Sequence, residues 1–474
     1  MFDNFIYLIL DRGDLSHKRG EFVMSVSSTS AVSTQAIAHL TPAQKRKESR
    51  RVILSSYLGS SIEFYDFLLY ASASALVFPT VFFANLDPLA GTIASYGTFA
   101  AGYLARPLGG AIFGHFGDKL GRKKMLVLSM FIMGIASTLI GLVPGSATIG
   151  SWGAIILIGL RMCQGIAVGG EWGGAALMAL EHSEKGRRGF AASFTNAGAP
   201  TGAALGTFIL GTTAAVLPQE DFMSWGWRIP FLLSFVLLII GMVVRSRISE
   251  SPIFLAALEK EQQQPTKKKL PIVEVLRRPR ALILTMLAGA SGFALQVLLS
   301  TFSVGYATEY GAERSAVLYA FALASVISIF FVVFFAHISD RLGRRPVMLA
   351  GLVMFAAYLP GFFKMMESNN WWLIFAAFTI ALALHAIIFG PLAAFISEQF
   401  GTGSRYTGAS MGYQFATLLG AGFTPTIMAS LYASTGGTSV TPVMMYLIGL
   451  ALVSAIAIIL TRESKDFDLE TQEH

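Results

Sequence analysis

The chain has 474 residues, 54% of them hydrophobic and only 13% charged, and its mean hydropathy is +0.61. A soluble domain carries about 25% charged and about 45–50% apolar residues, so an ordinary soluble enzyme, a disordered protein and a coiled coil are excluded. Cys163 is the only cysteine, and no two of the seven histidines fall within one helical turn. That leaves no disulfide scaffold, thiolate cluster or local metal motif, and neither a metal nor a cofactor is expected.

The first fifty residues are polar, with a Ser/Thr-rich run at Ser25–Ser33. Phe5–Leu10 is apolar but too short to span a bilayer or to serve as a signal-peptide core. The stretch reads as a disordered tail, with Met24 as an alternative start.

Twelve apolar stretches follow, at 52–77, 92–116, 124–143, 152–180, 189–213, 228–246, 281–307, 316–338, 347–364, 371–396, 406–432 and 441–461. Each approaches the roughly 20 residues of helix that cross a hydrocarbon core. Backbone polar groups cannot stay unpaired in lipid, so these stretches must be helices. Core helices of soluble proteins average about 11–12 residues, too short for this pattern.

The net charge of +7 would fit a nucleic-acid surface, but its placement gives topology instead. One side of the membrane collects Lys45, Arg46, Lys47, Arg50, Arg51, Lys119, Arg122, Lys123, Lys124, Lys185, Arg187 and Arg188. It also holds Arg245, Arg247, Lys260, Lys267, Lys268, Lys269, Arg277, Arg278 and Arg280, then Arg341, Arg344, Arg345, Arg405, Arg462 and Lys465. The other side carries Arg314 and Lys364. Positive loops stay inside, so both termini are expected in the cytoplasm and no nucleic-acid partner is expected.

The long loop near 247–280 divides the chain into six spans plus six. Residues 259–265 read as a short amphipathic surface helix, and Lys267–Lys269 as a basic run suited to anionic headgroups. The expected organisation is a tail over 1–50, a six-helix bundle over 51–247, a linker over 248–280, a second six-helix bundle over 281–462, and a tail over 463–474.

The halves repeat. Gly117-Asp118-Lys119-Leu120-Gly121-Arg122-Lys123 follows the second span, and Ser339-Asp340-Arg341-Leu342-Gly343-Arg344-Arg345 follows the eighth. Glu181 and Glu398 end the fourth and tenth spans; Arg188 and Arg405 open the fifth and eleventh. Such duplications favour a binding site at the repeat interface near mid-membrane.

Charges inside a membrane cost about 2.5–3.5 kcal/mol each on insertion scales, and here they gather in the first half. Glu63 and Asp66 share a face of span one. Arg106 lies in span two, and Arg161, Gln164 and Glu171 line one stripe of span four. A buried carboxylate balanced between desolvation and a nearby guanidinium can gain a proton in one conformation and lose it in another. Glu63, Asp66 and Glu171 could thus pair with Arg106 and Arg161 across a common cavity. Arg106 is suited to a substrate carboxylate through its planar fork, and Glu171 and Gln164 are grouped with it. Tyr70, Asn196, Gln296, His385 and Gln414 are the further residues placed toward substrate, with Tyr65 and Phe302 as apolar walls. The bland alternative is a static ion network and interhelical hydrogen bonds that fix packing. At the basic rim, Asp118, Arg122, Glu181 and Arg188, mirrored by Asp340, Arg344, Glu398 and Arg405, are placed as a gate. Pro200 and Pro425 are expected to kink spans five and eleven.

Gly114-x-x-Gly117-Asp118-x-x-Gly121-Arg122-Lys123-Lys124 resembles the signature loop of the major facilitator superfamily. Within it, the metabolite:proton symporter family is resembled by Ile62-Glu63-Phe64-Tyr65-Asp66-Phe67, Ala105-Arg106-Pro107-Leu108-Gly109-Gly110 and Arg161-x-x-Gln164-Gly165. Gly169-Gly170-Glu171-Trp172-Gly173-Gly174, Trp225-Gly226-Trp227-Arg228-Ile229-Pro230-Phe231, Glu250-Ser251-Pro252 and Arg405-Tyr406-Thr407-Gly408-Ala409-Ser410 add to the set. Gln399-Phe400-Gly401-Thr402-Gly403 departs from the Phe-Pro-Thr that relatives often carry there.

The resemblance covers roughly residues 50–462 and implies alternating access by twelve helices. Relatives carry shikimate, α-ketoglutarate, citrate, proline or betaine. Asp66 and Arg161 align with the proton-coupling aspartate and span-four arginine of sugar-carrying relatives, which implies Asp66 as proton acceptor, Glu63 as its neighbour or alternative, and Arg161 as charge partner. The expectation is an all-α, multi-pass protein of the plasma or inner membrane, not an enzyme. It would be monomeric and couple a small polar metabolite, an organic acid first, to inward proton movement. A proline- or betaine-type osmolyte symporter and a proton-antiport exporter remain the alternatives. An ATP-driven pump would need a Gly-Lys phosphate loop, and no Gly-Lys dipeptide occurs.

Overall fold

A computed structural model describes residues 42–120, 122–181, 183, 186–246, 271–277, 279–400 and 405–465. Residues 1–41 of the N-terminal tail, the amphipathic and basic parts of the linker, and the last residues of the chain lie outside these; residues 42–50, expected as the end of a disordered tail, instead continue the first helix, which starts at Pro42.

The first half supplies α1 (Pro42–Leu76), α2 (Pro88–Leu120) and α3 (Arg122–Ile140). It continues with α4 in two segments (Trp152–Gly169 and Glu171–Glu181), α5 (Arg188–Val216) and α6 (Arg228–Ser246). The second half begins with α7, which runs from Pro279–Val297 through a π turn, Leu298–Phe302, into Ser303–Glu309. Then come α8 (Arg314–Leu342), α9 (Arg344–Met366) and α10 (Trp371–Glu398). α11 is Arg405–Thr417, a π turn at Leu418–Gly422 and Thr424–Ser434, and α12 is Thr441–Leu460.

Local chemistry sets several ends. Asn370 caps α10, its side-chain oxygen accepting from the N–H groups of Trp372 and Leu373. Gly343, at φ +104°, makes the turn from α8 into α9 in a region that L side chains rarely adopt. Pro200 lies inside a continuous α5, whereas Pro425 opens the segment after the π turn of α11. The expected kink in span eleven is therefore a break, because the π turn comes before the proline.

Among the described residues, ten helices are long and apolar enough to cross a membrane. The other two long helices, α1 and α2, carry Glu63, Asp66 and Arg106, all buried. These buried charges dilute the apolar density of the two helices, although α2 still exposes Leu104, Leu108, Ile112 and Phe116. Lipid-facing surface is plain on α6, where Leu232, Phe235, Val236, Ile239, Ile240 and Val243 are exposed.

Small residues let helices that carry the site meet closely. A Cβ at Gly109 would fall on the Ile166 carbonyl, and one at Gly169 on the Arg106 carbonyl. The α2–α4 seam is thus main chain against main chain. Between the halves, α5 packs on α8 and α10, and α2 and α4 pack on α11.

Candidate transport site

Gly59, Glu63 and Phe67 recur every four residues and so share one stripe of α1. Glu63 is buried, and its Oε2 has no hydrogen-bond partner. Asp66 lies on the adjoining stripe. Its Oδ1 accepts from the Ser234 hydroxyl on α6, and its Oδ2 has no partner.

Both arginines of the cluster sit on aromatic rings. The Arg161 guanidinium carbon is 3.8 Å from the centroid of Phe67 and 4.1 Å from that of Tyr70. The Arg106 carbon is 4.0 Å from Phe67 and 4.4 Å from Tyr103. One phenylalanine therefore serves two cations. Desolvated cation–π contacts contribute about 2 kcal/mol or more, which offsets part of the cost of burying these charges. Arg161 Nη1 also donates to Gln164 Oε1 at 2.9 Å, and Gln164 Nε2 donates to Ser137 Oγ at 2.6 Å. Tyr70 is tied to Thr98 at 2.6 Å.

The direct pairing of Arg161 with Asp66 expected from the sequence is not formed. Arg161 Nε and Nη2 have no hydrogen-bond partner, and no ion pair joins either Arg106 or Arg161 to a carboxylate among the described residues. The aromatic platform holds them instead.

Glu171 is paired through one oxygen with a residue read from the sequence as part of a basic loop. Arg245, 3% exposed, turns inward from the last turn of α6. Its Nη2 pairs with Glu171 Oε1, and its Nη1 donates to the Leu126 carbonyl at 3.0 Å. Gly59 makes the slot: a Cβ there would overlap the Arg245 guanidinium. With Arg245 included, three buried carboxylates face three guanidiniums. Charge balance was the one sequence signal for it, since Glu63, Asp66 and Glu171 outnumber Arg106 and Arg161.

The remaining polar candidates, from both halves, are neutral groups. Asn196 Nδ2 on α5 donates to the Phe389 carbonyl of α10 at 2.7 Å. Gln414 Nε2 on α11 donates to the Gly169 carbonyl of α4 at 3.2 Å. The amide oxygens of both are buried without a partner. His385 Nε2 lies 2.9 Å from the Gly292 carbonyl, its ring stacked on Phe389. Gln296 is half-buried. Tyr65 is a packing residue whose hydroxyl donates to the Pro230 carbonyl, and Phe302 lies in the π turn of α7. A contact missing from the sequence reading is Trp172 on Tyr413, stacked with centroids 3.6 Å apart across the two halves.

At the basic end, Asp340 accepts from the main-chain N–H groups of Gly189 and Phe190, at 2.9 and 3.0 Å. Arg344 Nη2 bridges Asp340 at 2.7 Å and Glu398 at 3.2 Å. Ser464 donates to Glu398 at 2.7 Å, and Glu463 caps the first N–H groups of α9. Arg188 stands at the start of α5 beside this network. The side chains of Asp118, Arg122, Glu181 and Arg405 lie outside the described residues.

A family model described as Major Facilitator Superfamily matches residues 64–332 and, overlapping, 284–473. The chain belongs to the major facilitator superfamily. Like its relatives it is a membrane transporter, not an enzyme, and a multi-pass plasma-membrane protein. The shikimate transporter of Escherichia coli (strain K12) is 39% identical over 422 residues, covering 88% of this chain and 95% of that one. The inner membrane metabolite transport protein YhjE of the same organism is 39% identical over 436 residues, covering 90% and 96%. Among solved structures, the proton:xylose symporter XylE bound to 6-bromo-6-deoxy-D-glucose superposes with a TM-score of 0.72 at 17% identity. That superposition covers 90% of this chain and 98% of XylE and supports the fold alone.

Proposed function

We propose that this transporter imports a small organic acid together with a proton, by alternating access. The observation that carries the reading is the asymmetry of the buried charges. Glu171 has its cation in Arg245, whereas Arg106 and Arg161 rest on aromatic rings without a carboxylate partner. A guanidinium desolvated on rings keeps its hydrogen-bonding edge for a planar anion. Asp66 and Glu63 each keep one oxygen without a protein partner, which suits groups that take up and release a proton. The 39% identity to a shikimate transporter agrees with an acid as cargo.

In this reading the basic loops face the cytoplasm, and the contacts at Asp340 and Arg344 close the inner side. The proton loads on Asp66 from outside, the substrate carboxylate engages Arg106, and separation of the basic end releases both inward. Each translocated charge gains about 2.3 kcal/mol per 100 mV of membrane potential.

The test uses proteoliposomes loaded with a pH dye and challenged with shikimate, α-ketoglutarate, citrate, proline and betaine. Protein-dependent internal acidification on adding one acid supports the reading and names the cargo. The same signal with proline or betaine moves the protein to osmolyte uptake, and alkalinisation moves it to proton-antiport export.

A further inference from the structure

α4 stops at Gly169 and resumes at Glu171. An interrupted helix frees main-chain carbonyls, and free carbonyls are costly inside a membrane. Here the second half supplies the donors. Gln414 Nε2 reaches the Gly169 carbonyl at 3.2 Å, and the Tyr406 hydroxyl reaches the Gly170 carbonyl at 3.1 Å. The next residue is Glu171, paired through Oε1 with Arg245 and unpartnered at Oε2. After it comes Trp172, stacked on Tyr413. Tyr406, Ser410, Tyr413 and Gln414 share one face of α11, and Ser410 closes it against Gly173. One face of the second half therefore holds four of the five residues 169–173 of the first, and the residue between them is a buried carboxylate.

We infer that Gln414 and Tyr406 are positioning residues for Glu171. While the basic end is closed they hold the break in α4, and the break holds Glu171 on Arg245. When the halves part there, both carbonyls lose their donors, the break relaxes, and Glu171 leaves its cation. Closure of the gate is thereby linked to the protonation of a carboxylate that forms no ion pair with Asp340, Arg344 or Glu398, the described side chains of the gate network. The inference rests on the reading of the protein as a proton-coupled carrier, and it assigns Gln414 to the helix break rather than to substrate. The groups around Glu171 are Arg245 on α6, Ser129 on α3, Glu63 on α1, and Tyr406 and Tyr413 from α11. Arg106 joins them through α2, whose main chain at Arg106 lies against Gly169.

Trp172 is a built-in reporter. Its emission, taken as the difference between the protein and its Trp172→Phe variant, is titrated with pH in lipid nanodiscs without substrate. The expected result is a titrating signal that Glu171→Gln abolishes. Gln414→Leu and Tyr406→Phe shift its midpoint upward by about one pH unit, a tenfold change in proton affinity, because Glu171 loses its cation. Tyr406→Phe removes a single oxygen and serves where Gln414→Leu fails to fold. Unchanged midpoints in both variants overturn the inference, as does a signal that never titrates or that survives Glu171→Gln. An intact titration in a protein that acidifies no proteoliposome would strike the proposed function and leave this linkage standing.

Discussion

Asp340, on the last turns of α8, accepts a hydrogen bond from the main-chain N–H of Gly189, in the first turn of α5, at 2.9 Å. A side chain of the second half thus caps a helix of the first. A carboxylate at a helix N-terminus satisfies orphan N–H groups and meets the positive end of the dipole. Glycine is needed opposite it, because a Cβ at 189 would fall on Arg344 and Asp340. In the proposed cycle the cap exists only while the basic end is closed. Asp340→Ala should cost the closed state about 0.5–2 kcal/mol and open the basic end roughly 2- to 30-fold more often. Labelling of a cysteine introduced at Phe190, in a Cys163→Ala background, measures this; an unchanged labelling rate removes the cap from the gate.

Arg245 and Glu171 form a buried pair, so removing one partner leaves the other charge stranded. Arg245→Ala should destabilise the protein by about 3–5 kcal/mol. Arg245→Ala combined with Glu171→Gln should recover most of that. Thermal melting of the purified protein decides it, and equal losses in the single and double variants would contradict the pairing.

Asp66→Asn keeps an oxygen for the Ser234 hydroxyl and removes the titrating charge. Accumulation driven by an acid exterior should disappear, while exchange of labelled for unlabelled substrate across the membrane persists. If the variant still accumulates substrate against its gradient, coupling resides elsewhere and Glu63 becomes the residue to change next.

Arg106→Lys keeps the charge and loses both the planar fork and the stacking on Phe67 and Tyr103. Its KM should rise about tenfold with little change in maximal rate, as the loss of roughly 1.4 kcal/mol of binding requires. A fall in maximal rate at constant KM would make Arg106 a structural residue. Phe67→Leu removes the platform of both cations and should weaken binding as well.

Most of the fold was legible because hydropathy and helix length are one-dimensional properties. All twelve expected spans correspond to long helices, and the dilution of α1 and α2 by Glu63, Asp66 and Arg106 was itself the pointer to the site. Side-chain direction was less legible. Arg245 stands at the end of an apolar run and before Arg247, so it reads as a loop charge; only the slot at Gly59, far away in sequence, brings it inside. Phe67 and Tyr103 read as ordinary core residues and Tyr70 as a residue placed toward substrate, and nothing local tells that guanidiniums lie on all three. Asn196 and Gln414 were visible as polar residues within spans. Their partners are main-chain carbonyls, and a carbonyl has no letter in the sequence except indirectly, as where the Gly169-Gly170 pair interrupts α4.

The α2–α4 seam has no side chains to compress, since Gly109 and Gly169 put one main chain directly on the other. Arg106 rides on one of these helices and Arg161 on the other. The seam therefore leaves the two helices no cushion: at Gly109 and Gly169 a shift of one main chain is passed directly to the other, so the two cations ride on backbones that are joined rather than independent.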